Sequence, residues 1–292
     1  MSVLLHQEPL SRHTSWRVGG PADRYFEPAD REDLVRFVRE LPEGEPIHWI
    51  GLGSNLLVRD GGIRGTVICL HGALDRLEAE GETAIHAQAG VHCARLAKFA
   101  VARKLSGAGF FAGIPGTVGG ALAMNAGAHG GETWNCVREV EVMYRGGRCQ
   151  WLPREAFHYT YRQVDVPTDM VGFIAARFRF EHDISGTAEQ DMKSWLARRK
   201  ATQPVGKPSA GSTFRNPPGD HAARLIEASG LKGHRIGGAQ VSTLHANFII
   251  TEDNARAADV EALIAHLRAE VRRQQGIDLE PEVRIIGEAG RA

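Results

Sequence analysis

Two stretches of this chain have the residue types and spacing to hold a phosphate or a flat ring. In the first, Gly51-Leu52-Gly53-Ser54-Asn55-Leu56 follows the apolar run Ile47-His48-Trp49-Ile50. Successive backbone N–H groups, with the Ser54 and Asn55 side chains, could ring a phosphate there. In the second, six glycines lie from Gly107 to Gly120, and the uncharged segment Ala121–Asn125 then reads as a buried helical turn. Glycine permits positive φ and close approach of backbone to a ligand, and the first N–H groups of a helix await an acceptor. The residues placed against a ligand are Gly51, Gly53, Ser54, Asn55 and Leu56 from the first loop. From the second come Gly113, Ile114, Pro115, Gly116, Thr117, Gly119, Gly120, Ala121, Asn125 and Gly127. Either loop alone is as readily a turn in a small-residue core; the two together point to one long diphosphate ligand. Neither has the GxGxxG spacing before a helix or the GxxxxGK[ST] spacing, which argues against a Rossmann site or a triphosphatase loop.

The elements that must carry these loops are mixed. Asp30 offers an N-cap to a helix with Leu34, Val38 and Leu41 on one stripe, stopped by Pro42 and Gly44. Residues 47–50 and 66–70 read as strands, as do 83–88, after which a helix is expected over roughly 91–105. Alternation at 139–144 and 173–178 predicts antiparallel strands. A polar helix over about 187–201 leads to Gln203-Pro204-Val205-Gly206-Lys207-Pro208, the best candidate boundary. Beyond it come a helix from Asp220 stopped by Gly230, a strand at 247–250, and a helix near 255–275. That last helix has Val260, Leu263, Ile264, Leu267 and Val271 on one face. The class is α+β.

A chain of 292 residues has room for two or three domains with ample core. Lys plus Arg equals Asp plus Glu at 35 each, so neither nucleic acid nor a membrane surface is an expected partner. The N-terminus lacks the apolar core of a signal peptide and no uncharged run has bilayer length, so a cytoplasmic location is expected. Cys69, Cys93, Cys136 and Cys149 form no CxxC pair and the histidines no HExxH, so reduced thiols and no metal are expected.

With the loops in order, the sequence resembles the bacterial UDP-N-acetylenolpyruvoylglucosamine reductases, flavoenzymes of peptidoglycan synthesis. The matching segments are Thr14 to Ala22, Gly51 to Gly62, Gly109 to Gly127, Tyr161-Arg162, Gly211 to Pro217, Gly237 to Ala239, His245 to Ile249 and Pro281 to Arg284. They run in the family's order along almost the whole chain. The resemblance implies a vanillyl-alcohol-oxidase-type (PCMH-type) FAD cradle of two α+β subdomains, residues 1–70 and 71–197, and a C-terminal α+β substrate domain, residues 198–282. A last strand at about 283–292 is expected to return to the first subdomain. The short spacings from Arg162 to Ser212 and from Ser212 to Glu282 resemble the family's second type. FAD would be held noncovalently, NADPH would be co-substrate, the other partner a UDP-sugar, and the protein a monomer.

The resemblance also carries the catalytic roles. Hydride passes to an enolpyruvyl ether, and charge builds beside its carboxylate; such a centre needs fixed positive charge and an acid. Arg162 matches the family's arginine, a planar two-donor fork for a carboxylate. Glu282 matches its acidic residue, and Ser212 its proton donor. Tyr161, Lys207, Arg215, Asn216 and Asn247 are the expected substrate contacts. Val164 stands where the family usually has serine, and Arg215 where it more often has lysine. The rivals are another FAD oxidoreductase of the same fold acting on an alcohol or hydroxy acid, and a noncatalytic flavin or nucleotide-sugar binder. Neither accounts for Arg162, Ser212 and Glu282 together.

Overall fold

The computed structural model describes residues 1–290. The chain divides into two compact units. The first comprises Met1–Leu5, Tyr25–Leu52 and Thr66–Arg198; the second comprises His6–Arg24, Gly53–Gly65 and the chain from Arg199 onward.

In the first unit the apolar stripe of residues 31–40 folds as helix α1, Arg31–Glu40, with the Asp30 side chain accepting the Asp33 N–H at its start. Ile47–Ile50 is a strand, paired in parallel with residues 66–69 of the strand Ile63–Cys69. The centre of the unit is a five-stranded sheet in the order Cys149–Pro153, Val137–Tyr144, Met170–Arg179, Ala84–Gln88, Leu77–Glu80, antiparallel throughout. Its strands do not follow the expected alternation of buried and exposed residues. Val140, Val142, Ala176 and Phe178 join one core with the glycine-rich segment, while Met143 and Ile174 join a second with Leu34 and Val38 of α1. Both faces of the central strands are therefore covered, and Glu141 is buried on the α1 side, where Arg31 neutralises it at 2.5 Å.

Helix α2, Cys93–Ala102, is shorter than its sequence predicts. Lys104 adopts φ 57°, and Leu105–Ser106 is drawn into a short strand against Glu181–His182. The glycine-rich segment forms a 3-10 turn, Gly109–Gly113, and then helix α3, Val118–Met124; a single turn, α4, spans Thr133–Cys136. The polar helix is α5, Ala188–Thr202, on which Met192 is the one buried residue; Trp195 lies against Gly109.

In the second unit helix α6, Ala222–Ala228, and helix α7, Ala257–Gln275, face a three-stranded antiparallel sheet of Arg235–Ile236, Ala239–Val241 and Ile249–Thr251. Val260, Leu263, Ile264, Leu267 and Val271 are all buried in its core, as their spacing requires. Trp16, from the Thr14–Ala22 segment, fills that core, and its indole N–H donates to Ile249 O at 2.8 Å. Asp60 caps α7, accepting the N–H groups of Ala257 (2.9 Å) and Ala258 (3.0 Å). Arg284–Ile286 pairs in parallel with Leu56–Val58; residues 291 and 292 of the expected final strand lie outside the described residues.

Candidate active site

The two glycine loops meet in the first unit. A Cβ on Gly51 would lie 2.5 Å from Thr117 Oγ1, so glycine lets the Gly51 backbone lie against the Thr117 side chain. Around that contact is a cleft of about 180 Å³, walled by Trp49, Leu70, Met170 and Phe173, with Thr117, Gly119 and Gly120 along one side. Apolar and aromatic walls beside glycine backbone suit one face of a planar heteroaromatic ring. The volume accommodates part of a dinucleotide. At Gly120 an added Cβ would meet only Thr117 Oγ1, at 3.8 Å, so this glycine leaves a surface open to a ligand.

The start of α3 is not the anion site that its sequence suggests. Val118 donates to Val91 O and Gly119 to Ala89 O, both at 2.8 Å, and Gly120 donates to the Thr117 hydroxyl at 3.5 Å. The amides expected to await a phosphate are engaged by Val91, Ala89 and the Thr117 side chain. The first loop is different. Among the described residues, the amides of Gly51, Leu52, Gly53, Ser54 and Asn55 make no hydrogen bond, which leaves consecutive N–H donors for an anion. Gly51–Asn55 therefore offers a run of N–H donors with the Ser54 hydroxyl, and within the first unit α3 contributes one wall of the cleft. These residues fit an FAD.

Arg162 occupies the second position of the two-residue turn joining His158–Thr160 to Gln163–Asp165, at φ 60°. Its guanidinium donates to Asn125 O (3.2 Å) and Gly127 O (2.9 Å), and its Cζ lies 4.7 Å from the centroid of the Tyr161 ring, itself 43% exposed. Gly127 has no room for a side chain, because a Cβ would stand 2.3 Å from Gly131 O and 3.1 Å from Arg162 Nη1. Val164 faces the aromatic core in place of a hydrogen bond to the turn. Asn125, expected at the cofactor, is fully buried with its side chain committed to protein groups.

In the second unit Ser212 and Glu282 stand on adjoining segments. Glu282 N–H donates to Thr213 O at 2.8 Å, Arg215 N–H to Glu280 O at 2.9 Å, and Phe214 and Pro281 form a bridge between them. Both Ser212 and Glu282 are half-buried. Asn55 Nδ2 donates to Glu282 O at 3.2 Å, so the first glycine loop is tied to the same neighbourhood. Asn247, 3% exposed, is used as a brace. Its Oδ1 accepts Phe214 N–H (2.9 Å), its Nδ2 donates to Phe214 O (2.8 Å), and its own carbonyl accepts Thr213 N–H (2.8 Å). Arg215 pairs with Glu280 at 3.0 Å, Asn216 Oδ1 accepts the Ala222 N–H at the start of α6, and Lys207 is exposed. Sequence reasoning missed the cleft residues Trp49 and Phe173 and the bracing roles of Asn125, Asn247 and Asp60. Each of those braces acts on backbone far away in sequence, so no local pattern signals it.

Likeness to known proteins defines a class, the FAD-binding oxidoreductases. Residues 22–153 match the family described as "FAD binding domain", and residues 203–286 match "UDP-N-acetylenolpyruvoylglucosamine reductase, C-terminal domain". The chain is 56% identical over 285 residues to the UDP-N-acetylenolpyruvoylglucosamine reductase of Methylococcus capsulatus, covering 98% of this chain and 93% of the relative. It is 57% identical over 286 residues to that of Alkalilimnicola ehrlichii, covering 98% and 95%. It superposes with a TM-score of 0.82 on the crystal structure of UDP-N-acetylenolpyruvylglucosamine reductase from Thermus caldophilus, at 32% identity and with 98% of each chain covered. The chain belongs to the UDP-N-acetylenolpyruvoylglucosamine reductase family and is an FAD-dependent oxidoreductase.

Proposed function

We propose that the protein reduces UDP-N-acetylglucosamine enolpyruvate to UDP-N-acetylmuramate, a peptidoglycan precursor, with NADPH as the reductant. The observation that carries this reading within the site is the pairing of Thr213 with Glu282, which keeps a hydroxyl, on Ser212, and a carboxylate on adjoining segments. The names of the near full-length relatives supply the substrate. FAD, held noncovalently, would supply the hydride chemistry between NADPH and the vinyl carbon of the substrate. The electron pair displaced from the vinyl bond stays on the substrate, at the carbon beside its carboxylate and on that carboxylate; the protein's part is to stabilise this charge and to deliver the proton. Arg162 offers a planar fork to the carboxylate on which negative charge accumulates. Ser212 delivers its hydroxyl proton to the carbon beside that carboxylate, and Glu282 supports the carboxylate contact. A serine hydroxyl is a weak acid, so the step relies on a basic carbon centre and close positioning.

Tyr161, Lys207, Arg215 and Asn216 are proposed contacts of the UDP-sugar, with Asn247 acting through the loop it braces. The division into cofactor subdomains 1–70 and 71–197 and a substrate domain 198–282, the second-type architecture, a cytoplasmic location and a monomeric state belong to the same proposal. The test separates the two half-reactions under anaerobic conditions. Ser212→Ala is expected to leave bleaching by NADPH unchanged and to slow recovery of the yellow colour by the enolpyruvyl substrate by about 10²–10⁴-fold. Equal slowing of both would remove Ser212 from the proton-donor role. A protein that bleaches and is never reoxidised by that substrate would belong to another flavoenzyme activity.

A further inference from the structure

We propose that Asn125 is the positioning residue for Arg162, fixing the arginine by gripping its turn from two sides. The inference rests on the reading of Arg162 as the ligand of the substrate carboxylate. Asn125 ends α3 in the left-handed region, at φ 41°, and is 0% exposed. Its Nδ2 donates to Thr160 O and to Glu132 Oε2, both at 3.0 Å, and its Oδ1 accepts the Trp134 N–H at 3.1 Å. Its carbonyl accepts Arg162 Nη1 at 3.2 Å. One residue thus holds the backbone two positions before the arginine and the guanidinium itself.

The turn needs such a hold. Arg162 is a non-glycine residue at φ 60°, a conformation retained only where surrounding contacts over-determine it. Its neighbour Tyr161 is 43% exposed, so burial of that side chain alone does not fix the turn. Glycine would serve equally at a left-handed helix end, so the conformation alone does not call for asparagine. What asparagine adds is two donors and an acceptor in one buried position, which tie Thr160 of the arginine's turn to Glu132 and Trp134. Glu132 is part of the same device: it takes one Nδ2 hydrogen, which leaves the other for Thr160 O. A misplacement of about 1 Å at a substrate-orienting group costs up to about 100-fold in rate.

The experiment uses the FAD-loaded enzyme. Asn125→Gly keeps the left-handed helix end and removes the three side-chain hydrogen bonds. Flavin content and the rate of reduction by NADPH are expected within about twofold of the parent, and reoxidation by the enolpyruvyl substrate about 10–100-fold slower. The same substitution is then made in an Arg162→Ala background, where its further effect is expected to fall below about twofold, because the residue it positions is gone. Should Asn125→Gly fail to hold flavin, Glu132→Ala replaces it at a half-buried position, with about 3–10-fold slower reoxidation and the same loss of effect beside Arg162→Ala. Full additivity with Arg162→Ala would overturn the positioning role while leaving Arg162 in place. Reoxidation unchanged by Arg162→Ala alone would remove the carboxylate assignment, and the positioning role with it.

Discussion

At the scale of single residues, the site depends on side chains that hold backbone. Asn247 satisfies both polar groups of Phe214, a residue 1% exposed, next to the Ser212–Thr213 segment. Asn247→Ala leaves a buried N–H and C=O unpaired, and is expected to lower stability by about 2–4 kcal/mol in urea unfolding. Gly51 is a steric requirement: a Cβ 2.5 Å from Thr117 Oγ1 must push the loops apart. Gly51→Ala is expected to be purified with little or no flavin, read from its visible spectrum, and Thr117→Ser in the same chain does not rescue it because the hydroxyl remains. The thiols are chemically quiet. Burial pushes Cys93 up to about 12 and Cys136 up to about 11, so neither supplies thiolate near neutral pH.

At the scale of elements, helix starts are secured by carboxylates, and two of these make separate predictions. Asp60 accepts two N–H groups at the start of α7, the helix that carries the core of the second unit. Asp60→Ala is expected to destabilise the protein by about 1–2 kcal/mol, read as a lower urea midpoint at unchanged slope. In α1, Asp33 accepts the Ala29 N–H at 3.0 Å and pairs with Arg36; the Ala29 hydrogen bond above all holds its carboxyl below the usual carboxylate range. Because its folded value is the lower one, its contribution is present above the unfolded value of about 3.9 and is lost as pH falls through the folded value. Asp33→Asn is expected to flatten that part of the acid limb of a stability–pH curve; an unchanged limb would exclude the group.

At the scale of the whole molecule, the equal numbers of acidic and basic residues leave no net charge to steer a polyanion. Ligand and stability are linked. FAD at about 100 times its dissociation constant is expected to add about 2.7 kcal/mol to the apoprotein and raise its melting temperature accordingly. A melting temperature indifferent to FAD would contradict a cradle that binds the native chain alone.

Local periodicity alone determined much of this protein. The α7 stripe, the Asp30 cap and the strand at residues 47–50 are properties of neighbouring residues, so they were legible before any packing was known. The unusual density of glycine likewise marked both loops that meet at Gly51 and Thr117. What the tertiary structure decided is which polar groups remain available. The α3 amides looked ready for an anion, yet those of Val118 and Gly119 are taken by Val91 and Ala89, whereas the Gly51–Asn55 amides make no hydrogen bond among the described residues. The strands expected to be half-buried are covered on both faces because α1 packs on the side opposite the glycine-rich segment. Asn125 and Asn247 became braces because their partners, Thr160 and Phe214, stand more than thirty residues away. A hydrogen bond or a buried face of that kind depends on which distant segment arrives beside it, and no short window of sequence contains that information.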